Sequence, residues 1–234
     1  MKASALMREV CEANLALVRA GLVIQTFGNA SAVDRDRGVM VIKPSGVPYA
    51  SLKPTQMVEV SLSTGEVVSG TLRPSSDTPT HLELFRAWPD LGGIVHTHSL
   101  YATAWAQAKR DIPALGTTHA DYFGGPVPCT RPMRAAEIRT EYELNTGRVI
   151  VERFRGISPL ACPGVLVASH GPFAWGRKVE DAVHHAEIVE FLARLASETL
   201  ALAPRTGPMP EVLAGKHFSR KHGPSAYYGQ HEPR

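Results

Sequence analysis

Cysteine is scarce in this chain of 234 residues: Cys11, Cys129 and Cys162 stand far apart, and no two form a C-x-x-C pair. An odd, sparse count excludes a disulfide framework and points to free thiols in a reducing compartment. Long apolar runs are also missing. No stretch approaches the roughly 18 apolar residues of a membrane span. Arg8, Glu9, Glu12 and Arg19 interrupt the N-terminal segment where a signal peptide needs its hydrophobic centre. The expected address is the cytoplasm. Charge of one sign is lacking too: the formal net charge is +3, too small and too evenly spread for a nucleic-acid or membrane partner, while a small anionic substrate fits it. No H-E-x-x-H, G-x-S-x-G or G-x-x-x-x-G-K-[ST] string occurs, so the usual metalloprotease, serine-hydrolase and phosphate-loop signatures are absent.

What is present is an ordinary globular composition, 44% hydrophobic and 20% charged, in a length that suits one large domain with a sizeable core. Residues 3–20 read as an amphipathic helix, with Leu6, Val10 and Leu17 on one side and Gly21 ending it. Strands are expected at 22–26 and 39–43 around a polar loop 28–38, and a hairpin over 57–68 with its tip at Ser63, Thr64 and Gly65. A helix is expected from Thr78 to about Trp88 with Pro79 in its first turn, then the strand GGIVHTH and a helix over 99–109. Residues 115–125 read as loop, 135–153 as helix broken at Gly147, 165–171 as strand. The last long helix, about 178–202, places Val179, Val183, Ala186 and Leu192 on one face. The tail from Pro204 is polar, yet Tyr227 and Tyr228 near its end suggest that it docks. Helices alternating with mainly antiparallel strands imply a single α/β layered domain over 1–234, a central antiparallel sheet flanked by helices.

The strongest chemical signal is His96-Thr97-His98 after the apolar run Gly93-Ile94-Val95. In a strand, residues i and i+2 face one way about 6.6 Å apart, so two imidazoles can converge on one cation. A third histidine, His170, is expected at the rim of another strand that Gly171 and Pro172 end. Three nitrogens with an open position are the usual form of a catalytic zinc site. Asp77, between the turn Pro74-Ser75-Ser76 and a helix start, is the fourth candidate ligand; the same position suits an ordinary helix N-cap. His81, one turn further, is either surface or a support for the ligands. His184 and His185 are adjacent on a helix and point about 100° apart, so they do not chelate together.

Three loops share a second character. Gly28-Asn29, Ser45-Gly46 and Ser75-Ser76 combine glycine backbone N–H groups with short neutral donors, the chemistry that cradles phosphate, and Lys43 adds charge. Asp121, in a polar loop, is either an acid/base group or a solvated aspartate.

The strings GNAS, IKPSG, RPSSDTPTH, GGIVHTHS, GTTHADYF, VPCTR, SHGPFAWG and KHGPSAYYGQ resemble the L-ribulose-5-phosphate 4-epimerases of the class II aldolase/epimerase family, from about residue 5 to residue 230. The resemblance implies a homotetramer with active sites between neighbouring subunits and one divalent ion per subunit, zinc first, with manganese and cobalt open. By position, His96, His98 and His170 would hold that ion with Asp77 beside them. Gly28, Asn29, Ser45, Gly46, Ser75 and Ser76 would hold the substrate phosphate. Asp121 and Tyr228 would be the acid/base pair, Tyr228 reaching in from a neighbouring subunit, with His217 near the same interface. Residues 205–211 depart from the pattern. Fuculose-phosphate-type aldolases share the three histidines but carry glutamate where this chain has Asp77. That aspartate, THADYF and the closing YYGQ point to the epimerase branch, with sugar-phosphate aldolase as the alternative. A non-catalytic metal module fits poorly, because structural zinc sites favour cysteine.

Overall fold

The computed structural model describes residues 3–222 and 226–228. Of the closing string KHGPSAYYGQ, residues 223–225 and 229–230 lie outside the described residues.

Helix α1, Ala5–Arg19, starts at Ser4, whose hydroxyl accepts from the Met7 N–H, a standard way to satisfy a helix's free first-turn donors. It buries Met7, Val10, Cys11 and Leu17 against the sheet, and the chain reverses at Ala20-Gly21. Among the described residues the sheet has seven strands in the order β4-β3-β2-β1-β5-β7-β6. They are β1 Asn29–Asp34, β2 Val39–Ile42, β3 Val58–Ser61, β4 Val67–Ser69, β5 Gly93–His96, β6 Gly164–Val167 and β7 Gly171–Gly176. Every neighbouring pair is antiparallel, as expected.

The side-chain alternation of a strand sorts residues onto two faces. On one face Ala30, Ala32, Val41, Val95 and Ala174 pack against α1 and the N-terminal half of α7, Val179–Leu202. On the other, Met40, Ile42, Ile94, Phe173 and Trp175 meet α2, Thr78–Ala87, and α6, Tyr142–Arg153. Helix α3, Leu100–Ala108, packs beside α7. The result is one domain of helix, sheet and helix layers.

Five expectations are corrected. Residues 22–26 form no strand: Gln25 turns left-handed (φ 55°) and the first strand begins at Asn29, inside the expected loop. Alternation of Ala30 and Ala32 with Ser31 gives both faces something to bury, whereas a strand through 22–26 would include Ile24, which stays 67% exposed. The 115–125 segment holds a short helix, α4, Thr117–Ala120. The 135–153 helix is two, α5 Ala135–Arg139 and α6, broken at residues 140–141 and not at Gly147. Gly147 instead lets α6 press on α2, since a Cβ there would sit 2.7 Å from the Cβ of Glu83. Gly171 and Pro172 do not end a strand but begin β7. Finally, the tail contains α8, Glu211–Lys221, which none of the apolar spacing announced.

Candidate metal centre

The site forms where three adjacent strands end together. Asn29, the first residue of β1, pairs with His96, the last of β5, and His96 pairs in turn with Phe173 near the start of β7. His98 lies two residues past the end of β5, and His170 lies in the turn between β6 and β7, after the left-handed Ser169 (φ 63°). The expectation that His96 and His98 share one strand face therefore holds only for His96; the chain leaves the sheet at Thr97, and the turn returns His98 to the same point.

Two glycines let the backbones close around that point. Gly28 has φ +80°, and a Cβ on it would lie 2.9 Å from the His96 carbonyl oxygen; a Cβ on Gly171 would lie 2.8 Å from the Thr97 carbonyl oxygen. Both approaches are too tight for any side chain, and the first also needs a backbone conformation that L residues avoid.

The donor nitrogens of His96, His98 and His170 all lie within 4.8 Å of one another. His96 Nδ1 donates to the Pro172 carbonyl at 2.9 Å. A carbonyl only accepts, so Nδ1 carries a proton and Nε2 is the ring nitrogen left to act as a ligand. His98 Nε2 stands 3.0 Å from that atom, and Tyr142 Oη is 3.3 Å from His170 Nδ1. Burial, and then the neighbouring imidazoles, push His98 below the ordinary imidazole range and His170 down to about 3. Converging imidazoles, with the outer nitrogens of His96 and His170 met by a carbonyl and a phenol, are the donor set a divalent cation needs. The residues fit the ion.

Asp77 lies in the same cavity wall but outside the cluster of mutually close donors, which among the described residues consists of the three histidines. Its carboxylate accepts from Asn29 Nδ2 at 2.7 Å. Burial alone would raise the Asp77 carboxyl, but His96, His81 and the Asn29 bond outweigh it and hold it below the usual range. His81 is fully buried, with Nδ1 2.7 Å from Ser31 Oγ, so it is a support beneath the site rather than a surface residue.

The three loops expected to cradle phosphate come together with the histidines. Gly28, Asn29, Ser45, Gly46, Ser75, Ser76 and Asp77 line a cavity of about 380 Å³ with His96, His98, His170, Tyr142 and Glu143. Larger cavities of about 550 and 610 Å³ lie elsewhere and gather no such set. The loops are stitched to one another: Ser45 N–H donates to Arg73 O at 2.9 Å and Ser75 N–H to Lys43 O at 3.0 Å. Asn29 spends its amide donors on Ser75 and Asp77. Ser75 Oγ accepts from Asn29 and from the Asp77 N–H, so its own proton remains for a ligand. Lys43 is buried behind the loops, its Nζ 4.7 Å from the centre of the Tyr49 ring, and burial lowers its pKa.

Asp121 and Tyr228 are not in this cavity. Asp121 ends α4 and faces α8, where Arg220 holds its carboxylate with two bonds of 2.9 and 2.7 Å and His217 Nδ1 lies 3.1 Å away. Tyr228 is 58% exposed and lies against the Arg220 guanidinium, 4.6 Å from ring centre to cation. The two are thus near each other and apart from the histidines of their own chain. Sequence reasoning missed Tyr142 and Glu143 at the cavity and Arg220 at Asp121. Tyr142 and Glu143 carried no signal because their helix start was read as helix interior.

A strand-end trio of imidazoles beside loops of glycine, serine and asparagine offers a place for a divalent cation next to short hydrogen-bond donors. The family profile "Class II Aldolase and Adducin N-terminal domain" matches residues 8–197, and the chain belongs to that class II aldolase family. Among solved structures, it is similar to an L-fuculose 1-phosphate aldolase at 25% identity, with a TM-score of 0.79, covering 94% of this chain and 97% of the other. It is also similar to YgbL from Klebsiella pneumoniae, described as a putative aldolase/epimerase/decarboxylase, at 25% identity and a TM-score of 0.70, covering 92% and 99%. The L-fuculose-1-phosphate aldolase of Thermus thermophilus shares the fold at 23% identity and a TM-score of 0.66, covering 85% and 97%. Class II aldolases are typically metal-dependent enzymes, usually zinc-dependent, as the three-histidine centre accommodates.

Proposed function

We propose that this chain is an L-ribulose-5-phosphate 4-epimerase, interconverting that sugar and D-xylulose 5-phosphate by cleaving and remaking one carbon–carbon bond. The observation that supports it most is the meeting, in one cavity, of three converging imidazoles with the loops 28–29, 45–46 and 75–76. Asp77 and the strings THADYF and YYGQ favour the epimerase branch over the aldolases.

The carbon-four hydrogen of a 2-ketopentose is not acidified by the carbonyl, so inverting that centre without redox chemistry requires breaking the bond between carbons three and four. A base takes the proton of the carbon-four hydroxyl, and the bond's electron pair passes toward the ketone. This leaves an enediolate and glycolaldehyde phosphate. The aldehyde turns, the bond re-forms on its other face, and an acid returns the proton to the carbon-four oxygen. A divalent cation bound by His96, His98 and His170 would supply the positive charge that favours the enediolate. Ser45, Gly46, Ser75, Ser76 and the Gly28-Asn29 backbone would tether the phosphate while the aldehyde turns. The carbon-four oxygen lies on opposite sides before and after, so two proton carriers are needed, and Asp121 and Tyr228 of a neighbouring subunit are assigned that work. Phe27 in the cavity wall and Leu100, two residues past His98, are 54% and 74% exposed. Apolar surface at these positions suits burial by a second copy, in keeping with a homotetramer. The three cysteines are buried free thiols, which accords with work in the reducing cytoplasm.

The test is incubation of cation-loaded and chelated protein with L-ribulose 5-phosphate, scoring D-xylulose 5-phosphate with an aldehyde trap running alongside. Epimer without trapped aldehyde supports the proposal; stoichiometric glycolaldehyde phosphate would replace it with the aldolase reading. That second reading is favoured by the 25% identity to an L-fuculose 1-phosphate aldolase over almost the whole of both chains.

A further inference from the structure

Among the described residues, the side-chain hydrogen bonds that tie α8 to the body converge on one residue. Arg220 Nε and Nη2 grip the two oxygens of Asp121, His217 Nδ1 meets Oδ1, and His222 Nε2 donates to the Asp121 carbonyl at 3.0 Å. Arg220 does more. Its carbonyl accepts from both the Tyr227 and Tyr228 N–H groups, at 2.9 and 3.0 Å, and its guanidinium lies 4.6 Å from the centre of the Tyr228 ring. One residue therefore touches both members of the assigned proton-carrier pair.

We propose that Arg220 is a positioning residue that presents Asp121 and Tyr228 as a single unit, its edge fixing the carboxylate and its face fixing the phenol ring. This rests on the reading of those two residues as the acid/base pair.

Fastening α8 is the competing explanation, and the geometry argues against its being sufficient. None of the α8 side chains is buried. The helix has separate anchors: the Phe218 ring lies 3.6 Å from where a Cβ on Gly124 would stand, and just before the helix the Met209 N–H donates to Ala114 O at 3.0 Å. A fastener needs one charge at the surface. Here a planar fork is matched to a carboxylate whose side chain is only 12% exposed, a geometry an ammonium cannot reproduce. Facing Asp121 from α8 are Arg220, His217 and Lys221, with His222 just beyond. Around it, His119 donates to the Gly125 carbonyl, and Tyr122 sits beneath Lys221 and beside His184. Burial would lift the Asp121 carboxyl, but the Arg220 and His217 bonds outweigh it and hold it ionised at neutral pH. Asp121 is therefore poised as a base, and the guanidinium that holds its carboxylate also lies against the Tyr228 ring.

The test uses the full-length, cation-loaded chain and the variants Arg220→Gln and Arg220→Lys. Arg220→Gln is expected to lower kcat about 100-fold, the scale of a small misplacement of reacting groups. Cation content and KM stay unchanged, and the acidic limb of the kcat profile moves to higher pH. Arg220→Lys should restore the limb in part and the rate only weakly. Wild-type kcat in Arg220→Lys overturns the proposal, as does a parallel fall of rate and thermal midpoint with an unmoved pH profile. If the wild-type chain turns over neither L-ribulose 5-phosphate nor an aldol pair, the sugar-phosphate reading fails on its own. Carboxyl NMR, assigned with Asp121→Asn, then decides: Asp121 titrating at higher pH in Arg220→Gln, with shifted Tyr228 ring signals, supports the coupling, and unchanged spectra overturn it.

Discussion

His96 lies flat on Phe173, ring centres 4.1 Å apart at an interplanar angle of 17°, while its Nδ1 donates to the carbonyl of Pro172. One strand thus supplies both the surface that orients the imidazole and the acceptor that decides which nitrogen faces the cavity. Removing the flat surface should loosen the ring without deleting a ligand. Phe173→Leu is expected to keep one cation per chain but to weaken its binding roughly 10- to 100-fold, as loss of a supporting contact around a ligand does. Titration against a chromophoric chelator reads this, and unchanged affinity would show that the stack is packing alone.

Asp77 separates two geometries of the centre. Standing outside the trio of mutually close nitrogens, it is expected to act as a neighbouring negative charge. Asp77→Asn should then retain a full equivalent of cation with affinity lowered by about tenfold, the lower end of what loss of a supporting group costs, whereas His98→Ala and His170→Ala lose stoichiometric binding. Metal analysis after dialysis distinguishes them; an Asp77→Asn chain that emerges empty makes the carboxylate a ligand.

Gly28 is required twice over, by its φ of +80° and by the His96 carbonyl 2.9 Å from where a Cβ would stand. Gly28→Ala should cost more than about 1 kcal/mol, the cost of forcing a side chain into a conformation it cannot share. Because the displaced atom belongs to His96, the same variant should bind cation more weakly. Urea unfolding and chelator competition should move together; a stable variant with normal affinity would refute the close approach.

Acid should unfold the metal-free chain for a reason traceable to His81. Its pKa is lowered to about 3, by burial first and despite the pull of Asp77, against about 6.5 for a free imidazole. The unfolded chain therefore binds a proton that the folded chain refuses throughout that interval. The stability this residue contributes is full above about 6.5 and falls as pH drops toward 3, by on the order of 1 kcal/mol per pH unit. Urea midpoints at several pH values, compared with His81→Gln, report the slope; equal slopes in both proteins would remove His81 as the cause.

The three converging histidines, the glycine- and serine-bearing loops beside them and the antiparallel α/β layering were all legible in the chain, because each is a local matter. H-T-H after an apolar run, Gly and Ser at turns, and alternating or helical spacing are short-range patterns that reflect what the adjacent backbone must do. The α7 face of Val179, Val183, Ala186 and Leu192 emerged as spaced, all four buried. Local pattern failed where long-range packing overrode it. Residues 22–26 looked like a strand by composition, but the sheet had room for β1 only opposite β5, where Ala30 and Val95 share the α1 side. Gly147 looked like a break because glycine weakens helices, yet its smallness is what admits α2.

The amino-acid order alone determined which chemical groups are available: imidazole nitrogens, short hydroxyl and amide donors, and a carboxylate with a phenol. Tertiary structure decided which of them meet. The three histidines and the loops beside them converge because β1, β5 and β7 end in register, a consequence of strand pairing between segments distant in the chain. Asp121 and Tyr228 were set together at Arg220 and away from that cavity, since a helix no periodicity announced carries the guanidinium that binds them. Spacing along a chain constrains neighbours, but only the burial of apolar faces against one another fixes which distant polar groups share a volume.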